Sequence, residues 1–225
     1  MTTDQTRAMQ AVAPQVVTLQ PETANQVTHA FGCLLSLYGA GLIISSAWAT
    51  GGALRILGCS VYAISLVGVY AASTLSHSFS DVRRRTFFRM LDQICILLLV
   101  VGTYTPFALV YALSGAWWLI LATMWTCAVI GIWLRIRRPS NSLPIPLFMV
   151  MGWLPITALG MAWDLTSVSG IGLILAGGLA YSGGTWFLAN DDRHPYYHAV
   201  WHVCAITGSG LHFAFLLLYV ALPAV

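Results

Sequence analysis

The sequence predicts an all-α integral membrane protein: a bundle of seven helices, N-terminus cytoplasmic and C-terminus outside. Three observations predict it. Hydrophobic residues make up 58% of the 225, and charged residues only 8%, far below the roughly 25% that a water-facing surface normally carries. Seven apolar runs each approach the roughly 20 residues that a helix needs to cross hydrocarbon. All ten basic residues are arginine, and all but Arg7 and Arg55 collect in alternate connections between those runs. The net charge of +3 is small, and the arginines are not interleaved with aromatics in an arm, so a nucleic-acid surface is not expected.

Residues 1–28 are polar, with Asp4, Arg7 and Glu22 as their charges. They lack the basic start, short apolar core and small-residue cleavage site of a removable signal peptide. They are expected to be a polar N-terminal segment ahead of a seven-span domain at 29–225. The spans are expected near 30–48, 54–78, 91–113, 116–136, 144–163, 167–189 and 197–222. Turn chemistry separates them in order: Gly51-Gly52, the arginine cluster after Ser80, Ser114-Gly115, Arg137-Arg138-Pro139, Asp164 and the segment NDDRHP.

Orientation follows from the arginines. The second-to-third connection holds Arg83, Arg84 and Arg85 with Arg89 close behind. The fourth-to-fifth holds Arg135, Arg137 and Arg138, and the sixth-to-seventh holds Arg193. These connections share one side, and short arginine-rich loops stay cytoplasmic. The other side keeps Arg55. Gly39, Gly41, Gly102, Gly177, Gly178, Gly183 and Gly184 are expected to let helices approach closely, and Pro106 to kink the third span. Trp117, Trp118, Trp153 and Trp163 lie near span ends and read as interfacial anchors. Cys33, Cys59, Cys95, Cys127 and Cys204 all sit in apolar runs with no C-x-x-C pair, so they read as small buried hydrophobes rather than a disulfide framework.

With direction set, depth can be assigned. His77 ends the second span, Asp92 begins the third, and His198 and His202 begin the seventh, all on the cytoplasmic side. Residues four apart share a helix face, so His198 and His202 can hold one ion between them. A third imidazole from another helix completes a three-nitrogen set with a fourth tetrahedral position for water, the arrangement of a catalytic zinc. Asp92, an acid inside an apolar run, is costly there unless paired or near a cation. It can orient or deprotonate a metal-bound water, or it can simply pair with Arg89 three residues earlier. Ser73, one turn before His77, can face a substrate oxygen, or bond back to its own helix. His212, about 15 Å deeper and roughly 80° off the His202 face, reads as a structural or lining residue. His194 in the loop and His29 at the entrance to the first span read as ordinary polar residues.

The segments ASTLSHSF, RMLDQICILLLVVGTYTPF and HPYYHAVWHVCAITGSGLHF, in this order and spacing, resemble the hemolysin III branch of the PAQR superfamily, which includes the adiponectin receptors. The resemblance implies a seven-helix fold with the N-terminus inside. It also implies a zinc site near the cytoplasmic face made by His77, His198 and His202, with Ser73 and Asp92 as the family's serine and aspartate. Ser76 departs from the tyrosine that many relatives carry there, and the loops use arginine where relatives often use lysine. The family's bacterial branch implies a multi-pass inner-membrane location. Its ceramidase-like relatives imply a zinc-dependent hydrolase of a membrane lipid amide or ester. A non-enzymatic regulator or sensor with a structural zinc, and a hemolytic or channel-like protein, remain as alternatives.

Overall fold

The computed structural model describes residues 20–138 and 144–222. It is helical throughout, with six helices long and apolar enough to cross a membrane and a shorter apolar one at Ile145–Met161. The chain is therefore a helical, multi-pass membrane bundle. Large apolar side chains such as Leu34, Tyr38, Ile64, Val129, Val150 and Leu179 point outward and stay exposed, as lipid-facing residues do where no water has to be met.

Helix α1 is Pro21–Thr50. It starts about nine residues before the expected span, because Pro21 suits the first helical position and Glu22 complements the positive helix end. A Gly51-Gly52 turn, both residues at positive φ, leads into α2, Ala53–Ser76. Helix α3 is Val82–Tyr111. The arginine cluster expected as a loop is instead its first turn, since the Asp81 carboxylate accepts the Arg84 backbone N–H at 2.9 Å and caps the helix. Helix α4 is Trp118–Arg137.

The fifth span is the least regular. Helix α5, Ile145–Trp153, runs into a 3₁₀ segment, Leu154–Ala158, and then α6, Leu159–Leu165. Pro155 explains the break, since it has no N–H to give and its ring crowds the preceding turn. Helix α7 is Val168–Ala189, and α8 is Tyr197–Leu216, continued by a π-helical turn Leu217–Ala221.

The closest neighbours are α2 with α3, α7 with α8, and α1 with α2; α1 meets α8 and α5 bridges α3 to α7. These helices close a ring, and α4 packs outside it against α3. Glycines permit the tightest approaches. A Cβ on Gly58 would sit 2.6 Å from the Pro106 Cα, and one on Gly102 would sit 2.5 Å from the Ser65 Oγ. Pro106 lies inside continuous α3 at this crossing. Gly39, Gly177, Gly178 and Gly184 also face close neighbours, whereas Gly41 and Gly183 face open space and do not serve the close approach expected of them. Trp118 and Trp163 are exposed, but Trp153 is no anchor. Its indole N–H donates to the Ser182 hydroxyl at 2.9 Å, because the proline break leaves it inside the bundle rather than at a span end. The five cysteines are free thiols.

Candidate metal centre

Helix α2 delivers His77 as the residue that ends it, with the backbone N–H folded back on the Ser73 carbonyl at 3.3 Å. The opening turns of α8 deliver His198 and His202, ring centroids 4.6 Å apart. The His77 ring lies 5.1 Å from His198 and 5.3 Å from His202. One ring nitrogen from each of the three can be chosen so that all lie within 4.8 Å of one another. Among the described residues no other group of three such ligands forms. The expected trio is brought together from opposite ends of the sequence.

What surrounds the trio fixes how each ring presents itself. His77 Nδ1 is 2.8 Å from the Glu22 carboxylate, and His198 Nδ1 is 2.9 Å from the Asp191 carboxylate. His202 Nδ1 is 3.2 Å from the Asn25 carbonyl and 3.1 Å from the Thr28 hydroxyl. Each Nδ1–H therefore has an oxygen acceptor, and each Nε2 keeps its lone pair. Metal-binding histidines are held this way, since the outer partner selects the tautomer and raises ligand basicity. Glu22 also pairs with Arg85, tying the start of α1 to α3.

These outer partners were not anticipated from sequence. Glu22, Asn25, Thr28 and His29 belong to a stretch that looks like a solvated lead-in, and Asp191 to a loop. A signal was present: Glu22, Asn25 and His29 fall at i, i+3 and i+7, one face of a helix. His29 in particular is not an ordinary entrance residue. It is 5% exposed, its ring lies against His202, centroids 3.5 Å apart and planes tilted by 37°, and meets Tyr70 at 5.2 Å, and neither of its nitrogens has a hydrogen-bond partner among the described residues. By contrast, His194 stays in the connecting turn, its Nδ1 accepting the Tyr196 N–H at 3.3 Å. His212 bonds the Ile174 carbonyl at 3.1 Å deeper in the bundle.

The trio lines a partly open cavity of about 1050 Å³ between the helices. Ser73 and Asp92 line it beside the histidines. The alternative pairing of Asp92 with Arg89 does not form; Asp92 is absent from the ion pairs among the described residues. Away from the trio the walls turn apolar, with Val69, Ile96, Leu99, Val100, Phe148 and Phe215 among them. The donor set fits a divalent ion that favours imidazole: three rings in the cavity lining, able to bring one nitrogen each within 4.8 Å of the others.

A multi-pass helical bundle carrying a three-histidine cluster at the mouth of an internal, largely apolar cavity defines the class. Within it, the chain belongs to the Haemolysin-III related family, whose model matches residues 17–213. It is 35% identical to Hemolysin-3 of Bacillus cereus over 205 residues, which is 90% of this chain and 93% of that protein. It is 32% identical to the Hemolysin-3 homolog of Bacillus subtilis (strain 168) over 204 residues, 90% of this chain and 95% of the relative. The human monocyte to macrophage differentiation factor is 24% identical over 210 residues, 87% of this chain and 83% of its own length. No solved structure gives a significant match.

Proposed function

We propose that this hemolysin III-type protein is a zinc-dependent hydrolase of a membrane lipid amide or ester. One observation carries the proposal: three imidazoles, each with Nδ1 beside an oxygen acceptor, can offer one ring nitrogen apiece within 4.8 Å of one another in the lining of a cavity whose walls are largely apolar. Zinc held by His77, His198 and His202 would supply a Lewis acid and a water acidic enough to attack near neutral pH. Asp92 accepts the proton released when a carbonyl carbon is attacked and returns it to the leaving amine or alcohol. Ser73, which lines the cavity with Asp92, offers its hydroxyl to the oxygen of the reacting carbonyl. The apolar walls take the acyl chain and exclude bulk water from the site.

The test is metal analysis of the purified protein, followed by incubation with a panel of lipid amides and esters and measurement of released fatty acid. Stoichiometric zinc, with release abolished by chelation and by Asp92→Asn, is the expected result. Release that survives both treatments overturns the proposal. Bound zinc with no release from any lipid favours the non-enzymatic alternative, to which the Glu22–His77 and Glu22–Arg85 ties between α1, α2 and α3 would lend themselves.

A further inference from the structure

A second polar cluster lies in the same cavity, deeper than the histidine trio, next to His29 and His212 and not engaged by the chemistry above. The Tyr70 hydroxyl donates to the Ser209 Oγ at 2.7 Å, and the Tyr181 hydroxyl meets the same Ser209 oxygen at 2.6 Å. All three residues line the cavity. Three hydroxyls carry three protons, yet only two hydrogen bonds join them. If Tyr181 donates to Ser209, the serine proton is left over; if Ser209 donates, the Tyr181 proton is left over. Either way one donor remains without an acceptor among the described residues, in a place where an unmet donor is costly. Tyr104, from α3, adds to the imbalance. It is 7% exposed, lines the cavity, and its hydroxyl has no partner.

The charge pattern says what such a cluster accepts. The carboxylates and guanidiniums that line the cavity are Glu22, Arg89, Asp92, Arg135 and Asp191. Glu22 and Asp191 bond the histidine trio directly, and Arg89, Asp92 and Arg135 belong to the same end of the bundle, near the start of α3 and the end of α4. Ser209 lies seven residues along α8 from His202, about 10 Å at helical rise, and Tyr104 lies twelve residues along α3 from Asp92, about 18 Å. At that depth the wall offers hydroxyls, apolar surface and the His212 ring, which lies 5.7 Å from Tyr181 and has its Nε2 taken up by the Ile174 carbonyl. A phosphate, carboxylate or ammonium would find no counter-charge there, whereas a neutral oxygen would find a waiting donor.

We propose that Ser209, with Tyr70 and Tyr181, forms a second recognition point for a neutral hydroxyl or carbonyl carried part-way along a lipid chain, about 10 Å from the histidine trio. This deepens the function proposed above and rests on it only for the cavity's taking a lipid chain; it does not need hydrolysis. The cluster then selects among chains of equal length by where they carry oxygen.

The experiment uses the full chain purified in detergent and three probes: stearate, 10-hydroxystearate and 2-hydroxystearate, each displacing a fluorescent fatty acid. The mid-chain hydroxyl should bind the wild-type protein about 5-fold tighter than stearate, the gain expected of one neutral hydrogen bond. The 2-hydroxy isomer should show no such gain. Ser209→Ala and Tyr181→Phe should each abolish the preference while leaving stearate affinity unchanged. Tyr181→Phe keeps the ring, so it remains informative if Ser209→Ala folds poorly. Equal affinities in the wild type, or a preference that survives both variants, overturn the subsite. Fatty-acid release from lipid amides is scored separately. A mid-chain preference without release supports the subsite and sinks only the proposed reaction; release without the preference does the reverse.

Discussion

His77 and His198 each lean on a carboxylate rather than on a neutral oxygen, and that difference can be measured. Replacing Glu22 by Gln keeps the size and a hydrogen-bonding oxygen but removes the charge that makes the His77 imidazole a stronger ligand. Metal affinity in Glu22→Gln should fall about 10- to 100-fold, read by competition with a chelator of known affinity; Asp191→Asn should do the same through His198. Asp92→Asn should behave oppositely, keeping the metal while lipid hydrolysis falls at least about 100-fold. Zinc quantitation on the same sample that is assayed separates the two classes. The clustering of His77, His198 and His202, in one cavity lining with Asp92, was legible because each is a polar group in an apolar run, where its cost invites a reason. Glu22, Asn25 and His29 were hidden by their company: among Gln26, Thr28 and other polar neighbours, a helix face turned toward the histidines looks like a solvated one.

Between elements, the crossing of α2 and α3 is set by two small residues. A Cβ on Gly58 would drive into the backbone of Pro106, and one on Gly102 into Ser65; backbone cannot swing aside as a flexible side chain can. Since His77 ends α2 and Asp92 lies in α3, this crossing also sets the distance across the mouth of the cavity. Gly58→Ala should cost about 1–3 kcal/mol, seen as a lower Tm in detergent, whereas Gly41→Ala, with nothing within 4 Å, should not lower Tm at all. Six of the seven spans were legible from length and hydropathy alone. The fifth was legible as an apolar run but not as two helices joined by a 3₁₀ turn. The rule that Pro155 breaks the ladder was available, but a hydropathy window smooths across it. The start of α3 was misplaced for a related reason: three arginines suggest a loop, whereas the Asp81 cap that makes them helical is a local hydrogen bond to which no composition measure responds.

At the level of the whole molecule, the arginines and the histidine trio occupy the same end of the bundle. Arg85 pairs with Glu22, which holds His77, and Arg135 in the last turn of α4 donates to Gln93 beside Asp92 at 2.8 Å. Arg55 marks the opposite end, where its guanidinium satisfies the Val220 and Gly51 carbonyls at 2.8 and 2.6 Å and so serves to close helix ends rather than to set direction. If short arginine-rich connections stay inside, the trio opens toward the cytoplasm. A reporter enzyme active only outside the cytoplasm should therefore be active when fused after Gly115, in the third-to-fourth connection, and silent when fused after Arg138. The same orientation dictates which side can strip the metal. A membrane-impermeant chelator should leave zinc held by the proposed site in place in intact cells and remove it from inside-out vesicles. An active reporter after Arg138, with metal lost from intact cells, would put the trio outside; the substrate would then have to come from the outer leaflet.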